Sequence, residues 1–204
     1  MGAAGSNKLH LGAFDQVVDG WINTDVSPHL IVARIPGAAA LLHRGGKLSD
    51  ARYAAYRDGR FARLRYLDLT RPLPFPDDSL AAIYSSHTFE HLHVDAAERA
   101  LGECHRVLMP GGVCRIAVPN LDNIVEHYDP AKPDDFVYGL FQGRGASDNR
   151  HARHWWHYNA VSLGARLRDA GFSTVTECAY RQGRCPDLEA IEYREWSLFM
   201  EAVK

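Results

Sequence analysis

At four places this chain sets residues able to hold a ligand at the ends of short apolar segments. Gly12 follows Lys8-Leu9-His10-Leu11, which alternates polar and apolar as a short strand does. Asp25 lies at the end of Trp21-Ile22-Asn23-Thr24-Asp25-Val26, which Ser27-Pro28 closes. Asp68 ends a third strand-like run at 64–67, and Ser85, Ser86 and His87 follow an apolar run at 80–84. Glycine lets a ligand approach the backbone. A strand-end carboxylate accepts from ribose hydroxyls, and an acid beside an apolar side chain can hold a base. Together these suit a nucleoside. Taken singly each has a plainer reading, since a glycine after a strand is a turn and a strand-end aspartate is a cap.

Histidines supply the other chemistry. His87 follows a strand, and His91 lies one helical turn further, where it can share a face. His154 precedes the last helical pattern. Imidazole suits proton transfer near neutral pH, although such side chains also commonly bond the backbone. Glu90 reads as a structural carboxylate holding a neighbouring loop. His151, His154 and His157 recur every third residue. On one helix the outer two would stand about 120° apart, and no nearby cysteine completes a tetrahedral set, so no metal is expected. Trp155, Trp156 and Tyr158 read as an aromatic wall of the core or of a pocket.

Strands alternating with helices must position these groups. Residues 36–63 look helical with a break at Gly45-Gly46. Asp95 and Glu98 have capping-box spacing, and Ala97, Leu101, Cys104 and Leu108 give one apolar face. Pro110-Gly111-Gly112 is expected to stop that helix, and 113–118 to be a strand. Leu163, Leu167 and Ala170 make a last helical face with Gly171 as its cap, and 174–179 and 197–203 close the chain as strands. The expected fold is α/β: a three-layer, Rossmann-like, mostly parallel sheet with an antiparallel edge hairpin. In such sheets ligands bind beyond the carboxyl ends of the strands. Residues 1–204 read as one domain, with a flexible leader at 1–6 and a lid or acceptor-pocket insertion at 122–156.

Composition narrows the partners. The 204 residues are 46% hydrophobic and 24% charged, enough for one ordinary core. A net charge of -2 argues against a broad grip on nucleic acid. The four arginines within 57–65 fit a solvated helix face. Cys104, Cys114, Cys178 and Cys185 form no C-x-x-C pair, which fits a reduced, cytoplasmic chain. No run approaches the roughly 18 apolar residues of a membrane span, and no signal peptide is visible. The opening Met1-Gly2-Ala3-Ala4-Gly5-Ser6 formally fits a myristoylation pattern, which small residues match easily by chance. A monomer or homodimer acting on a small-molecule acceptor is expected, with no nucleic-acid or membrane partner.

The chain resembles the class I S-adenosylmethionine-dependent methyltransferases, and within them the small type 11 group. The resemblance rests on Leu9-His10-Leu11-Gly12, on Gly20-Trp21-Ile22-Asn23-Thr24-Asp25, and on the run from Asp68 to Leu80. It is strongest in Ser85-Ser86-His87-Thr88-Phe89-Glu90-His91-Leu92 and from Glu103 to Gly112. Residues 154–158, 163–172 and 197–204 also fit, so the blocks span nearly the whole chain.

The resemblance implies S-adenosyl-L-methionine as cofactor and S-adenosyl-L-homocysteine as product. Gly12 and Ala13 would lie against the methionine part, and Asp25 would bind the ribose with Val26 on the adenine. Asp68 would accept from the adenine amino group with Leu69 lining the base. Ser85, Ser86 and His87 would face the methionyl end and the acceptor. It also places a histidine like His154 near the acceptor pocket. One departure stands out: the family loop has glycines two and four residues after the first, where this chain has Phe14 and Gln16. Phe14 is therefore expected beside the cofactor, where it either blocks the usual backbone approach or stacks on the ligand.

The implied reaction is oxygen or nitrogen methylation of a small molecule or sugar-type metabolite, by direct in-line transfer with histidine as a base. The alternatives are a same-fold enzyme using the cofactor for cyclisation or decarboxylation, and a scaffold without cofactor affinity. Base-amino methylation of nucleic acid would call for an Asn/Asp-Pro-Pro-aromatic motif where Ser85-Ser86-His87-Thr88 stands.

Overall fold

A computed structural model describes residues 6–141 and 153–204. Most of the leader and His151 therefore lie outside the described residues, as do residues 142–152 of the expected insertion. Seven strands form one sheet: β1 (Lys8–Leu11), β2 (Ile22–Asp25), β3 (Arg65–Tyr66), β4 (Leu80–Ser86), β5 (Leu108–Val118), β6 (Thr174–Cys178) and β7 (Leu198–Val203). Their order is β3-β2-β1-β4-β5-β7-β6. The first five run parallel, and β7 is antiparallel to both β5 and β6. The sheet reverses its strand order beside β1, where β2 and β4 flank it. Ligands of open parallel sheets bind at such a switch point. Leu11 pairs there with Thr24 on one side and Ser85 on the other.

Period-two alternation sends successive side chains to opposite faces. Leu9, Leu11, Ile83, Cys114, Ile116, Met200 and Ala202 join the main buried cluster. Helices α4 (Val94–Val107) and α7 (Ala160–Asp169) cover it with Ala97, Leu101, Cys104, Leu163 and Leu167. The intervening Ala82, Tyr84, Val113 and Val203 pack instead with Trp21, Cys185, Leu188 and Ile191. That second cover comes from Trp21 and from the 179–192 loop with its one-turn helix α8 (Leu188–Ile191). Between β2 and β3 lie the short helices α1 (His29–Val32), α2 (Ala38–Arg44) and α3 (Asp50–Arg57), with a 3-10 turn at Phe61–Arg63.

Two expected boundaries move. Helix α4 begins at Val94 with His93 as its N-cap, so Asp95 lies inside the first turn and pairs with Arg99 at 2.9 Å. The Asp95–Glu98 capping box therefore does not form. At its other end α4 stops at Val107, before Pro110-Gly111-Gly112, and those three residues lie within β5. Gly111 has φ 77°, and a side chain at Gly112 would press the Met109 carbonyl at 2.8 Å. The triplet thus shapes an irregular strand entry, where the β4–β5 register shifts between Leu80 and Ala82. Gly171, at φ 105°, follows α7 as expected. The start of the insertion contains helices α5 (Leu121–Glu126) and α6 (Pro133–Leu140), neither of which buries a residue.

Candidate active site

The β1–β2 edge is organised by Asn23 and Asp25. Asn23 closes the 18–21 turn from both ends, since Val18 N donates to its Oδ1 and its Nδ2 donates to the Val18 and Trp21 carbonyls. Asp25 holds the loop after β1: Phe14 N donates to Oδ2 at 3.0 Å and Ser27 N to Oδ1 at 2.6 Å. Burial pushes the Asp25 carboxyl up, and these backbone donors pull against it. Gly12 has φ 66°, and a Cβ there would fall inside the Thr88 side chain. Ala13 is buried, and its N–H donates to the Thr24 carbonyl. Phe14 adopts φ 47°, the backbone region that favours glycine. Its ring packs edge-on to His29 and Phe61, with the Arg52 guanidinium 4.2 Å above it.

The remaining cofactor candidates differ in availability. Val26 is 45% exposed beside Asp25. Asp68 accepts from Thr70 N and Oγ1 at 2.9 and 2.7 Å. Its partial burial pushes the carboxyl up, but the Thr70 hydrogen bonds and the Arg71 charge outweigh this and hold it below its ordinary value. Leu69 turns into the main core. Ser85 is fully buried with its hydroxyl unpaired. Ser86 is buried beside it, and its carbonyl accepts from Thr88 Oγ1. A buried orphan hydroxyl next to a left-handed glycine and an exposed apolar side chain fits a ligand with a polar tail and a flat base.

Beyond β4 the histidines converge. His87 has φ 50°, a strained position for a residue with a side chain. Its Nδ1 lies 3.2 Å from Glu90 Oε1 and its Nε2 lies 2.8 Å from Ser197 Oγ. Trp196 packs edge-on to the same imidazole at 4.9 Å. Glu90 is fully buried; that burial pushes its carboxyl up, but His87 and the charge of His91 outweigh it and hold it below the ordinary range. The rings of His91 and His154 lie 5.0 Å apart. Burial lowers the His154 pKa to about 4, opposed by the Glu90 charge. Glu90 does hold the neighbouring loop, but through its backbone: Trp155 N and Trp156 N donate to its carbonyl oxygen at 2.7 and 3.3 Å.

The three candidate histidines, His87, His91 and His154, gather around Glu90, and residues outside the candidate set join them: Trp196 and Ser197 against His87, and Thr88 over Gly12. No spacing rule joins residues about a hundred positions apart. A Trp-Ser pair just before the last strand was the one available cue. Trp155 and Trp156 are 38% and 40% exposed, so that pair forms a surface wall, whereas Tyr158 is buried.

The sheet and its covering elements form the Rossmann-like methyltransferase fold. A chain of the Haloferax volcanii complex containing the Trm112 methyltransferase activator superposes with a TM-score of 0.50 at 18% identity, covering 96% of this chain and 81% of that one. An S-adenosylmethionine-dependent methyltransferase of Thermotoga maritima gives 0.50 at 14% identity, over 97% and 81%. PigF, solved with S-adenosylhomocysteine, gives 0.53 at 14% identity, over 97% of this chain and 50% of that one. Likeness at such identities establishes the fold alone. Residues 38–116 match the family model described as a methyltransferase domain, and both findings agree with the class I, type 11 resemblance. Asp68 and the stretch from Ser85 to His91 lie inside the matched segment, whereas Gly12, Asp25 and His154 lie outside it. No curated protein matches the sequence.

Proposed function

We propose that the chain transfers the methyl group of S-adenosylmethionine to an oxygen or nitrogen of a small molecule or sugar-type metabolite. The observation that carries this reading is the meeting of Gly12, Asp25 and Ser85 at the switch point, with the His87–Glu90 pair directly beyond β4. Gly12, Ala13 and Ser85 would hold the methionyl part of the cofactor. Asp25 and Val26 would hold ribose and adenine, with Asp68 near the base. The cofactor supplies an already activated methyl group, so the protein's task is alignment and removal of an acceptor proton. His87 suits the second task, because its Nδ1 lies 3.2 Å from the Glu90 carboxylate and its Nε2 lies 2.8 Å from the Ser197 hydroxyl. The α5–α6 segment, with exposed Val125, Tyr128 and Val137, is suited to a lid over the acceptor.

Calorimetric titration with S-adenosylhomocysteine tests the cofactor reading. Micromolar binding is expected, and Asp25→Asn should weaken it by about ten- to a hundredfold through lost ribose contacts. A scaffold without cofactor affinity is favoured by one observation: both Asp25 oxygens already accept from backbone N–H groups, and Thr88 packs over Gly12. A flat titration with folded wild-type protein would establish that second reading and remove the first.

A further inference from the structure

The Glu90 carboxylate is a buried charge set among imidazoles. It is fully buried, and neither oxygen has a hydrogen-bond partner, although His87 Nδ1 lies near Oε1. Buried carboxylates are ordinarily bonded, paired or bound to a metal. Two imidazoles stand beside it. His154 is buried with an unpartnered Nδ1, and His91 directs Nδ1 at the Arg153 carbonyl, 3.1 Å away. A histidine that donates from Nδ1 to a carbonyl keeps Nε2 free as a metal ligand. One ligand atom from each of Glu90, His91 and His154 can be chosen so that all three lie within 4.8 Å of one another.

We infer that Glu90, His91 and His154 form a binding site for a divalent first-row transition-metal ion of the zinc or iron(II) type. Two imidazole nitrogens and one carboxylate suit these borderline ions, whereas calcium and magnesium prefer oxygen ligands alone. Ligands about 2.0–2.1 Å from one tetrahedral ion stand about 3.4 Å apart, so the cluster needs to draw in by up to about 1.4 Å at its widest. The frame for that closure is present. The Trp155 and Trp156 amides on the Glu90 carbonyl lock the 153–156 loop to the turn that carries Glu90 and His91. His87 on Glu90 and the Arg153 carbonyl on His91 act as orienting partners of the ligands. The regular spacing of His151, His154 and His157 hides this site, because its carboxylate and one imidazole come from a distant segment.

Three protein ligands leave at least one coordination position open. On the methyl-transfer reading, an acceptor hydroxyl held there would be acidified beside His87. That use rests on the proposed function, whereas the metal site does not.

The test uses the full chain without an added histidine tag, stripped with chelator and dialysed, then titrated with cobalt(II). Visible absorption reports coordination, and zinc competition reports affinity. One ion per chain is expected. His91→Ala and His154→Ala should each weaken binding by at least about tenfold, the double variant should abolish it, and Glu90→Gln should weaken it with little change of shape. His43→Ala, far from the cluster, should bind as wild type. Circular dichroism and melting identify any variant that misfolds, for which His91→Gln and His154→Gln replace the alanines. Absence of stoichiometric binding by the wild type, or full binding by the folded double variant, would overturn the proposal. Titration of the same stripped protein with S-adenosylhomocysteine reports separately on the methyl-transfer reading.

Discussion

Gly12 carries two constraints that can be separated from any ligand. Its φ of 66° is costly for other residues, and its missing Cβ leaves room for Thr88. Gly12→Ala should therefore destabilise the protein by at least about 1–2 kcal/mol, seen as a lower urea midpoint without ligand. His10 offers a residue-scale prediction with pH. It is buried against Tyr84, with Nδ1 3.3 Å from Asn23 Oδ1. Burial lowers its pKa to about 4, against a smaller raising effect of Asn23. Between that value and the ordinary one near 6.5 the unfolded chain binds a proton that the folded chain does not. Stability must then fall as pH drops through this window, by up to about 1.4 kcal/mol per pH unit from His10. His154 acts in the same direction. Melts from pH 7 to 4.5 should show this slope, and His10→Gln should flatten it. Gly12 and Asp25 were legible in the sequence because each punctuates a strand. The pairing of Glu90 with His87, and of His91 with His154, was not, since burial and side-chain direction decide it.

At the scale of elements, α7 is held more firmly at its start than its sequence suggests. Asn159 Oδ1 accepts from Ser162 N, and Ser162 Oγ accepts from Asn159 N, a reciprocal cap. Asn-x-x-Ser lacks the usual acid at the third position, so the pattern did not announce itself. Asp95-x-x-Glu98 had the expected spacing but lay two positions too deep, because His93 is the N-cap and α4 starts at Val94. Asn159 also donates from Nδ2 to Asp122, and Leu121 N donates to the Tyr158 carbonyl. The cap thus ties α5, α7 and the segment bearing His154 together. Asn159→Ala should cost about 1 kcal/mol, or about 2–4 °C in Tm. Amide exchange should also rise at Trp155 and Trp156, whose N–H groups close the neighbouring loop. A fall in Tm without that rise would mean that the cap serves α7 alone.

For the whole molecule, the sheet's two faces are covered by different means. The mostly parallel sheet and its antiparallel edge pair β6–β7 followed from the alternating apolar runs, whereas the strand order is seen only in the structure. The second cover did not follow from them either, because the 179–192 loop has too few apolar residues to read as a layer. What holds it down is Arg115, a cation inside the apolar run of β5. Its guanidinium is fully buried and pairs with Glu192 and with Glu201, the latter at 3.1 Å. It also donates to the Ala179 and Gln182 carbonyls, each at 2.9 Å. Glu201 in turn accepts from Arg184 N and Cys185 N. One cation thus fastens both ends of the loop to the sheet. A buried pair adds little net stability over a well-packed apolar replacement, yet breaking it strands an uncompensated charge. Arg115→Met should therefore cost about 3–5 kcal/mol in urea unfolding, because it leaves Glu192 and Glu201 buried without their cation. Adding Glu192→Leu and Glu201→Leu should recover a large part of that loss. Arg115→Met within about 1 kcal/mol of wild type would show that loop packing through Leu188 and Ile191, and not the cation, holds the second face.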